Sequence, residues 1–401
     1  MRIHLLAWSV LAVFALSGSA FAKKDAKDNK EKLPYEEAVT VFSSQKGVHK
    51  SMRIPCIVNA GGVLIAAAEG RYNHSDQAMN DIVVSVSKNG GKTWSEPTIA
   101  AKSDDGATFN NPCLIYDPAT KTVTLVFQRY PKGVKERSIS SHDQLRSFVC
   151  FSKNGKKWTK PVDVTKDTRH EDCRTHCSGP NPGVLLTRGE HKGRQVVVFN
   201  EAVSFGNWHV AAAYSDDHGK TWKMGSGRSA NGRGINEVSS VETDNGGVLV
   251  VSRNYGGPGG GVKRVTRSDD GGDTWSEVTY HGELPCVGCQ NGLTRYSFSD
   301  DSKLGKRSRI LFSAPKGPGR KGGIIKMSYD DGESWPVEKS VGPGDFAYSV
   351  MCPLKPGYVA LLFESDGGNT IKFAPISLKW LTDGKDTGLA DKTAGQHDTE
   401  D

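Results

Sequence analysis

One short pattern returns five times along this chain and constrains its fold more than any other feature. It reads Ser87-Lys-Asn89-Gly-Gly91-Lys-Thr93-Trp94, then Ser152-Lys-Asn154-Gly155-Lys-Lys-Trp158, one residue shorter. The later copies are Ser215-Asp-Asp217-His-Gly219-Lys-Thr221-Trp222, Ser268-Asp-Asp270-Gly-Gly272-Asp-Thr274-Trp275 and Ser328-Tyr-Asp330-Asp-Gly332-Glu-Ser334-Trp335. The tryptophans lie 64, 64, 53 and 60 residues apart, which is a repeat period. Within a copy, the Asp or Asn side chain can accept hydrogen bonds from backbone N–H groups just ahead of it and hold a turn. The glycine supplies a positive φ, and the tryptophan ring can anchor the turn on a sheet edge.

Each copy follows a β-rich segment, such as Asp81-Ile-Val-Val-Ser-Val or Trp208-His-Val-Ala-Ala-Ala-Tyr. Apolar or alternating runs bounded by glycine turns read as strands. The chain has 46 glycines against 18 prolines, which suits many tight turns, and no long amphipathic helical pattern. Several strands per repeat predict an all-β fold, a β-propeller. A period of about 60 residues predicts six blades. No Pro/Ser-rich linker separates the copies, which argues against an array of small domains.

The ends read differently. An apolar run from Leu5 to Leu16 follows Arg2 and leads to Ala20-Phe21-Ala22. This is the pattern of a cleaved signal peptide, residues 1–22, and the run is too short for a membrane span of roughly 20 residues. A polar segment 23–40 and a polar tail 383–401 flank a propeller over 41–382, and Lys23–Lys32 and the tail read as disordered. The expectation is export, periplasmic or secreted, with no stable membrane insertion. A net charge of +7, without a long Lys/Arg block interleaved with aromatics, gives nucleic-acid binding little support. No Gly-rich loop sits in a βαβ setting, so no nucleotide or flavin cofactor is expected.

The repeated pattern resembles the Asp box of sialidases. Arg53-Ile54-Pro55 resembles that family's Arg-Ile-Pro motif, with Met52 where an aromatic is usual. The resemblance spans Lys46 to Ser377 and implies a six-bladed sialidase-like propeller. It also implies an exo-α-sialidase that removes terminal α-linked sialic acids from glycoproteins, glycolipids and oligosaccharides. A sialic acid carries a carboxylate on its anomeric carbon, and arginine pairs with carboxylates in a planar, bidentate way. By resemblance Arg53, Arg253 and Arg320 form that clamp. Glu364, in Leu-Leu-Phe-Glu364, resembles the counter-charge that orients the first arginine.

A carboxylate nucleophile would be repelled by the substrate's own carboxylate, whereas a neutral tyrosine would not. Sialidases are the glycosidases that use one. Tyr348 resembles that nucleophile and Glu237 the base that takes its proton. Asp76, in His74-Ser-Asp76-Gln77, resembles the acid/base that protonates the leaving oxygen, and its loop position suits a residue facing both leaving group and solvent. Asp81 is the weaker alternative and reads as a strand-start turn residue. Arg71 resembles an arginine near the sugar's 4-hydroxyl. Arg169, Arg174 and Arg264 read as surface residues.

Two other readings stay open. The same clamp and tyrosine would serve a hydrolase of a related 2-keto acid sugar, such as deaminated sialic acid. A non-catalytic propeller binding acidic glycans would keep the arginines but have no use for Asp76, Tyr348 and Glu237.

Eight cysteines in an exported chain permit disulfides, and the close pairs Cys173/Cys177 and Cys286/Cys289 could bridge. Cys56, in a predicted strand, reads as a small buried hydrophobe. The run His170-Glu-Asp-Cys173-Arg-Thr-His176-Cys177 has metal-ligand residue types, but sialidase chemistry needs no metal and none is expected. The Asn73-His-Ser75 sequon sits beside Asp76, where a glycan would obstruct the site.

Overall fold

The computed structural model describes residues 32–44, 48–139, 144–204, 206–230, 234–256 and 260–390. The chain divides into a unit of residues 1–32 and a unit of 33–401, and everything below concerns the second. The expected signal peptide lies outside the described residues.

Strand β1 (Val39–Ser43) is followed by an eight-stranded sheet. That sheet contains β2 (Ser51–Ala60), β3 (Val63–Arg71), β4 (Asn80–Ser87), β5 (Thr98–Ala101), β6 (Thr108–Asp117), β7 (Thr122–Tyr130), β8 (Arg146–Ser152) and β9 (Val162–Asp163). The next sheet contains β10 (Thr175–Ser178) and β11 (Val184–Leu185), which share one edge of β12 (Gln195–Ser204), then β13 (Asn207–Ser215) and β14 (Lys223–Met224). A third runs β15 (Ile235–Glu242), β16 (Val248–Asn254), β17 (Val262–Ser268) and β18 (Thr279–Pro285). A fourth runs β19 (Gly292–Ser297), β20 (Arg309–Pro315), β21 (Lys321–Ser328) and β22 (Val337–Asp345). In the last, β23 (Ser349–Lys355), β24 (Tyr358–Ser365) and β25 (Thr370–Ser377) are completed by β1, so the N-terminal strand closes the sheet formed by the C-terminal ones. A four-residue helix, α1 (Leu378–Leu381), follows.

The first strands pack on one another in a ring: β2 on β6 and β23, β23 on β19, β19 on β15, and β10 and β11 between β15 and β6. This is an all-β propeller arrangement. The expected count of six blades is corrected by the pairing. The described strands form five sheets, four of them blade-sized with four or five strands and one continuous with eight. A parallel pair, Asn80 with Thr108, joins β4 to β6 and merges two meanders into that one sheet.

Each repeated pattern is the turn between a third and a fourth strand. In the Ser215 copy, Ser215 Oγ donates to Asp217 Oδ1 at 2.8 Å and accepts from Gly219 N at 2.8 Å. Thr221 N donates to the same carboxylate at 2.8 Å. Trp94, Trp158 and Trp222 donate their indole N–H to the carbonyl of the pattern's glycine at 3.0–3.1 Å. The glycines also let sheets approach: a Cβ on Gly91 would lie 2.1 Å from Phe373, and one on Gly332 would lie 2.6 Å from Leu249. Both residues take a positive φ, so the position excludes a side chain twice over.

Two readings, of Arg264 and of the tail, are corrected. Arg264 is buried in the middle of β17, with its Nη2 donating to Tyr280 Oη at 3.0 Å, because the sheet is covered on both faces there. The tail is packed over 383–390, since Asp386 receives the buried Arg309 through Nε at 2.7 Å and Nη2 at 2.8 Å. A buried guanidinium needs such a counter-charge. Tyr35, in the polar N-terminal segment, stacks toward Phe363 with ring centroids 5.7 Å apart. All eight cysteines are free thiols, seven of them buried, Cys56 among these. Among the described residues no group of three or more His, Cys, Asp or Glu could hold a metal ion. There too, no helix is long and apolar enough to cross a membrane.

Candidate active site

The ends of the first strands where Arg53, Glu237 and Tyr348 sit open into a cavity of about 760 Å³. Its wall includes Arg53, Asp76, Glu237, Arg253, Arg320 and Tyr348, six of the eight residues singled out in the sequence. Glu364 stands behind Arg53. Arg71 stands behind Asp76.

Two hairpins supply the centre. Glu237 and Arg253 are 16 residues apart and face each other across β15 and β16, where Arg253 Nη1 donates to Glu237 Oε2 at 2.9 Å. Tyr348 and Glu364 are likewise 16 apart and meet across β23 and β24, with Glu364 N donating to Tyr348 O at 2.9 Å. The Tyr348 hydroxyl donates to Glu237 Oε1, and Arg253 Nη1 reaches the same hydroxyl at 3.4 Å. Tyr348 is buried. Burial and then the Glu237 carboxylate hold its hydroxyl well above the ordinary phenol range, against Arg253 and Arg320. The tyrosine is therefore neutral and already hydrogen-bonded to the group that could take its proton.

Arg53 is placed by a bulge in β2. The register shifts between Arg53 and Cys56, and Ile54 adopts φ 59°, a strained conformation for a β-branched residue. The bulge turns the Ile54 N–H onto Glu364 Oε1 at 2.7 Å, the oxygen that also receives Arg53 Nε at 2.7 Å. Burial lowers the Arg53 pKa, but the Glu364 charge outweighs it and keeps the guanidinium cationic. Arg253 is held cationic in the same way, by Glu237 against burial. Arg320 immediately precedes β21. Among the described residues its Nη2 donates to a carbonyl, Gly288 O at 3.2 Å, and to no carboxylate. The guanidinium carbons of Arg53 and Arg320 each lie 5.2 Å from the centre of the Tyr348 ring.

Asp76 lies in the loop after β3 with its side chain 70% exposed. Partial desolvation pushes its carboxyl up, but Arg71, then Arg53 and Arg320, outweigh this and hold it below its ordinary value. Arg71, expected beside a sugar hydroxyl, is buried next to Asp76. Its Nη1 donates to Asp76 Oδ1 at 2.6 Å and its Nε to Glu69 Oε2 at 2.8 Å. A buried guanidinium is drawn to two carboxylates in preference to open solvent. Asp81 lies outside the cavity, buried in β4, and accepts from Ser103 N at 2.8 Å and Tyr72 Oη at 3.0 Å.

Sequence reasoning missed Glu69, which also accepts from Asn111 N at 2.9 Å. Its signal was its place two residues before Arg71, on the same face of one strand. Trp208 and Tyr255, which meet edge to face at 5.8 Å on the cavity wall, carried no motif.

Fold and cluster together define an all-β propeller with an arginine-lined cavity at its centre, and comparison with known proteins is more specific. Residues 62–359 match the BNR repeat-like domain. The chain is 31% identical over 360 residues to a sialidase of Micromonospora viridifaciens, covering 86% of this chain and 54% of that protein. It is 26% identical over 352 residues to a sialidase of Bacteroides fragilis, covering 82% of this chain and 62% of that protein. The chain thus spans about half to three-fifths of the length of these relatives. Its fold is like that of a Hadza microbial sialidase, with a TM-score of 0.75 at 23% identity over 86% of this chain and 69% of that one. The chain belongs to the sialidase family.

Proposed function

We propose that the protein is an exo-α-sialidase that hydrolyses terminal α-linked sialic acids of glycoconjugates with retention of configuration. The observation that carries this reading is the neutral Tyr348 hydroxyl hydrogen-bonded to Glu237 amid three arginines. In the proposed reaction the substrate carboxylate lies on Arg53, Arg253 and Arg320. Arg320, which has no carboxylate partner among the described residues, gains most from it. Glu237 takes the Tyr348 proton as the phenol oxygen attacks the anomeric carbon, and Asp76 protonates the departing oxygen. Water activated by Asp76 then attacks the glycosyl–tyrosine bond, and the proton returns from Glu237 to the phenolate. Arg71, bonded to Asp76 through Nη1, orients that carboxylate.

The resting Asp76 is ionised, which suits its second role as base. Its first role needs a proton. The bound carboxylate supports that step, because it offsets the field of Arg53 and Arg320 that depresses the Asp76 pKa. Kinetics of wild type and Tyr348→Phe on a fluorogenic sialoside and on its deaminated counterpart test the reading. Turnover of the sialoside that is lost in the variant is expected. A wild type inert from acidic to neutral pH overturns it, and faster turnover of the deaminated glycoside reassigns the substrate.

A further inference from the structure

One buried amine takes no part in this chemistry. Lys263, on β17, is 1% exposed, and among the described residues its Nζ makes one hydrogen bond, to Cys289 O at 2.6 Å. Burial lowers its pKa, and burying such a polar group is unfavourable unless something is gained by holding it there. What it holds is the loop 286–290 with the Cys-x-x-Cys motif, whose thiols are free and, among the described residues, belong to no cluster that could hold a metal ion.

Every residue of that loop after Val287 faces the cavity's machinery. Gly288, at φ 69°, turns its carbonyl to Arg320 Nη2 at 3.2 Å. The Cys289 side chain is buried in one cluster with Tyr348 and Ile54. Gln290 clamps the residue after Tyr348 at both backbone groups: its Oε1 accepts from Ser349 N at 3.0 Å and its Nε2 donates to Ser349 O at 3.1 Å. A further bond from Gln290 Nε2 reaches Pro180 O at 2.9 Å, just after β10, and ties the loop to that sheet.

We propose that Lys263 is a positioning residue for this site: through the Cys289 carbonyl it fixes loop 286–290, which sets Arg320 and the backbone of Tyr348. The kinetic side of this rests on the sialidase reading above, and the geometric side does not. Reacting groups displaced by even an ångström can lose on the order of a hundredfold in rate. The variants are Lys263→Met, which keeps the chain length and removes the donors, and Lys263→Arg, which restores N–H donors. Lys326→Met is the control, since Lys326 is also buried but pairs with Glu338 away from the cavity.

Kinetics on an aryl sialoside are read per folded molecule, with folding followed by thermal unfolding. Lys263→Met is expected to lower kcat/KM at least about tenfold, through both a lower kcat and a higher KM. Lys263→Arg should recover part of this, and Lys326→Met should change stability alone. If Lys263→Met does not fold, Gln290→Met reads the same loop and should lower kcat. Wild-type-like kinetics in whichever of these two variants folds overturns the proposal. A crystal structure of that variant separates the claim from the activity itself. Arg320 drawn away from Gly288 O, or a shifted Tyr348 backbone, is expected even if the wild type hydrolyses no sialoside. An undisturbed Arg320 and Tyr348 overturn the proposal.

Discussion

The same first strands end in two unlike cavities. At one end Arg53, Glu237 and Tyr348 face a space of about 760 Å³. A few residues further along, Ile57, Leu293, Val241 and Met351 line one of about 530 Å³. Backbone regularity separates the two ends. β2, β6 and β15 are in uninterrupted register from Cys56, Cys113 and Val238 onward, and alternation delivers apolar side chains to the second cavity. Before those residues each strand is bulged. Ile54 (φ 59°) gives its N–H to Glu364 and Asn111 (φ 53°) gives its N–H to Glu69. The bulges let backbone and arginine share one buried carboxylate. The difference teaches that charge at this propeller's centre is built by leaving the ladder, and stability by keeping it.

Substitutions at the two ends should therefore fail in different ways. The largest effect is expected at the bulged end: Tyr348→Phe should lower kcat about a thousandfold or more while the unfolding temperature stays near that of wild type, read by steady-state kinetics and calorimetry. At the regular end the order reverses. Met351→Ala, at a side chain 1% exposed, should lower unfolding free energy by about 2 kcal/mol in urea titration and leave kcat/KM per folded molecule unchanged. If Met351→Ala reduced turnover as well, the two ends would not be independent.

A smaller effect sharpens the role of Glu364 and its neighbours. A Cβ on Gly368 would lie 2.6 Å from Arg53 Cδ, and the residue takes φ 85°. Gly368→Ala should push Arg53 out of the clamp and raise KM about tenfold with a lesser change in kcat. Smallest is a shift along the pH axis. Arg71 depresses the Asp76 pKa, so removing that cation raises it, and Asp76 stays protonated to higher pH. The double variant Arg71→Met/Glu69→Gln neutralises the buried pair together, which spares the fold an unpaired charge. Its kcat/KM on a sialyl-oligosaccharide should hold to higher pH than wild type before falling. An aryl sialoside, whose leaving group needs little protonation, should show the shift weakly.

How much of this was legible in the sequence follows from the range of the interactions. The repeated turns were, because Ser215, Asp217, Gly219 and Thr221 bond one another within a few residues. The repeat gave the propeller but not the sheet count. Whether two meanders share a hydrogen-bonded pair is decided by Asn80 meeting Thr108, 28 positions later, and no local pattern encodes it. Arg53, Glu237 and Tyr348 were found as a set by resemblance, and two of the pairings that serve them span single hairpins. Arg71 was found by resemblance too, but its partner Glu69 carries no motif. Arg264 was misplaced because a charged residue in a central strand reads as surface until both faces are seen to be covered. Lys263 and Gln290 act through backbone carbonyls of distant strands, which leave no trace in residue types.

The central claim is that Tyr348, not a water molecule, makes the first attack on the anomeric carbon. Proton NMR of the first sugar released from an α-sialoside, recorded before the anomers equilibrate, tests this most directly. Two displacements, the first by tyrosine, predict that the α-anomer appears first and the β-anomer grows in later by mutarotation. Initial release of the β-anomer would mean a single displacement by water and would contradict the account.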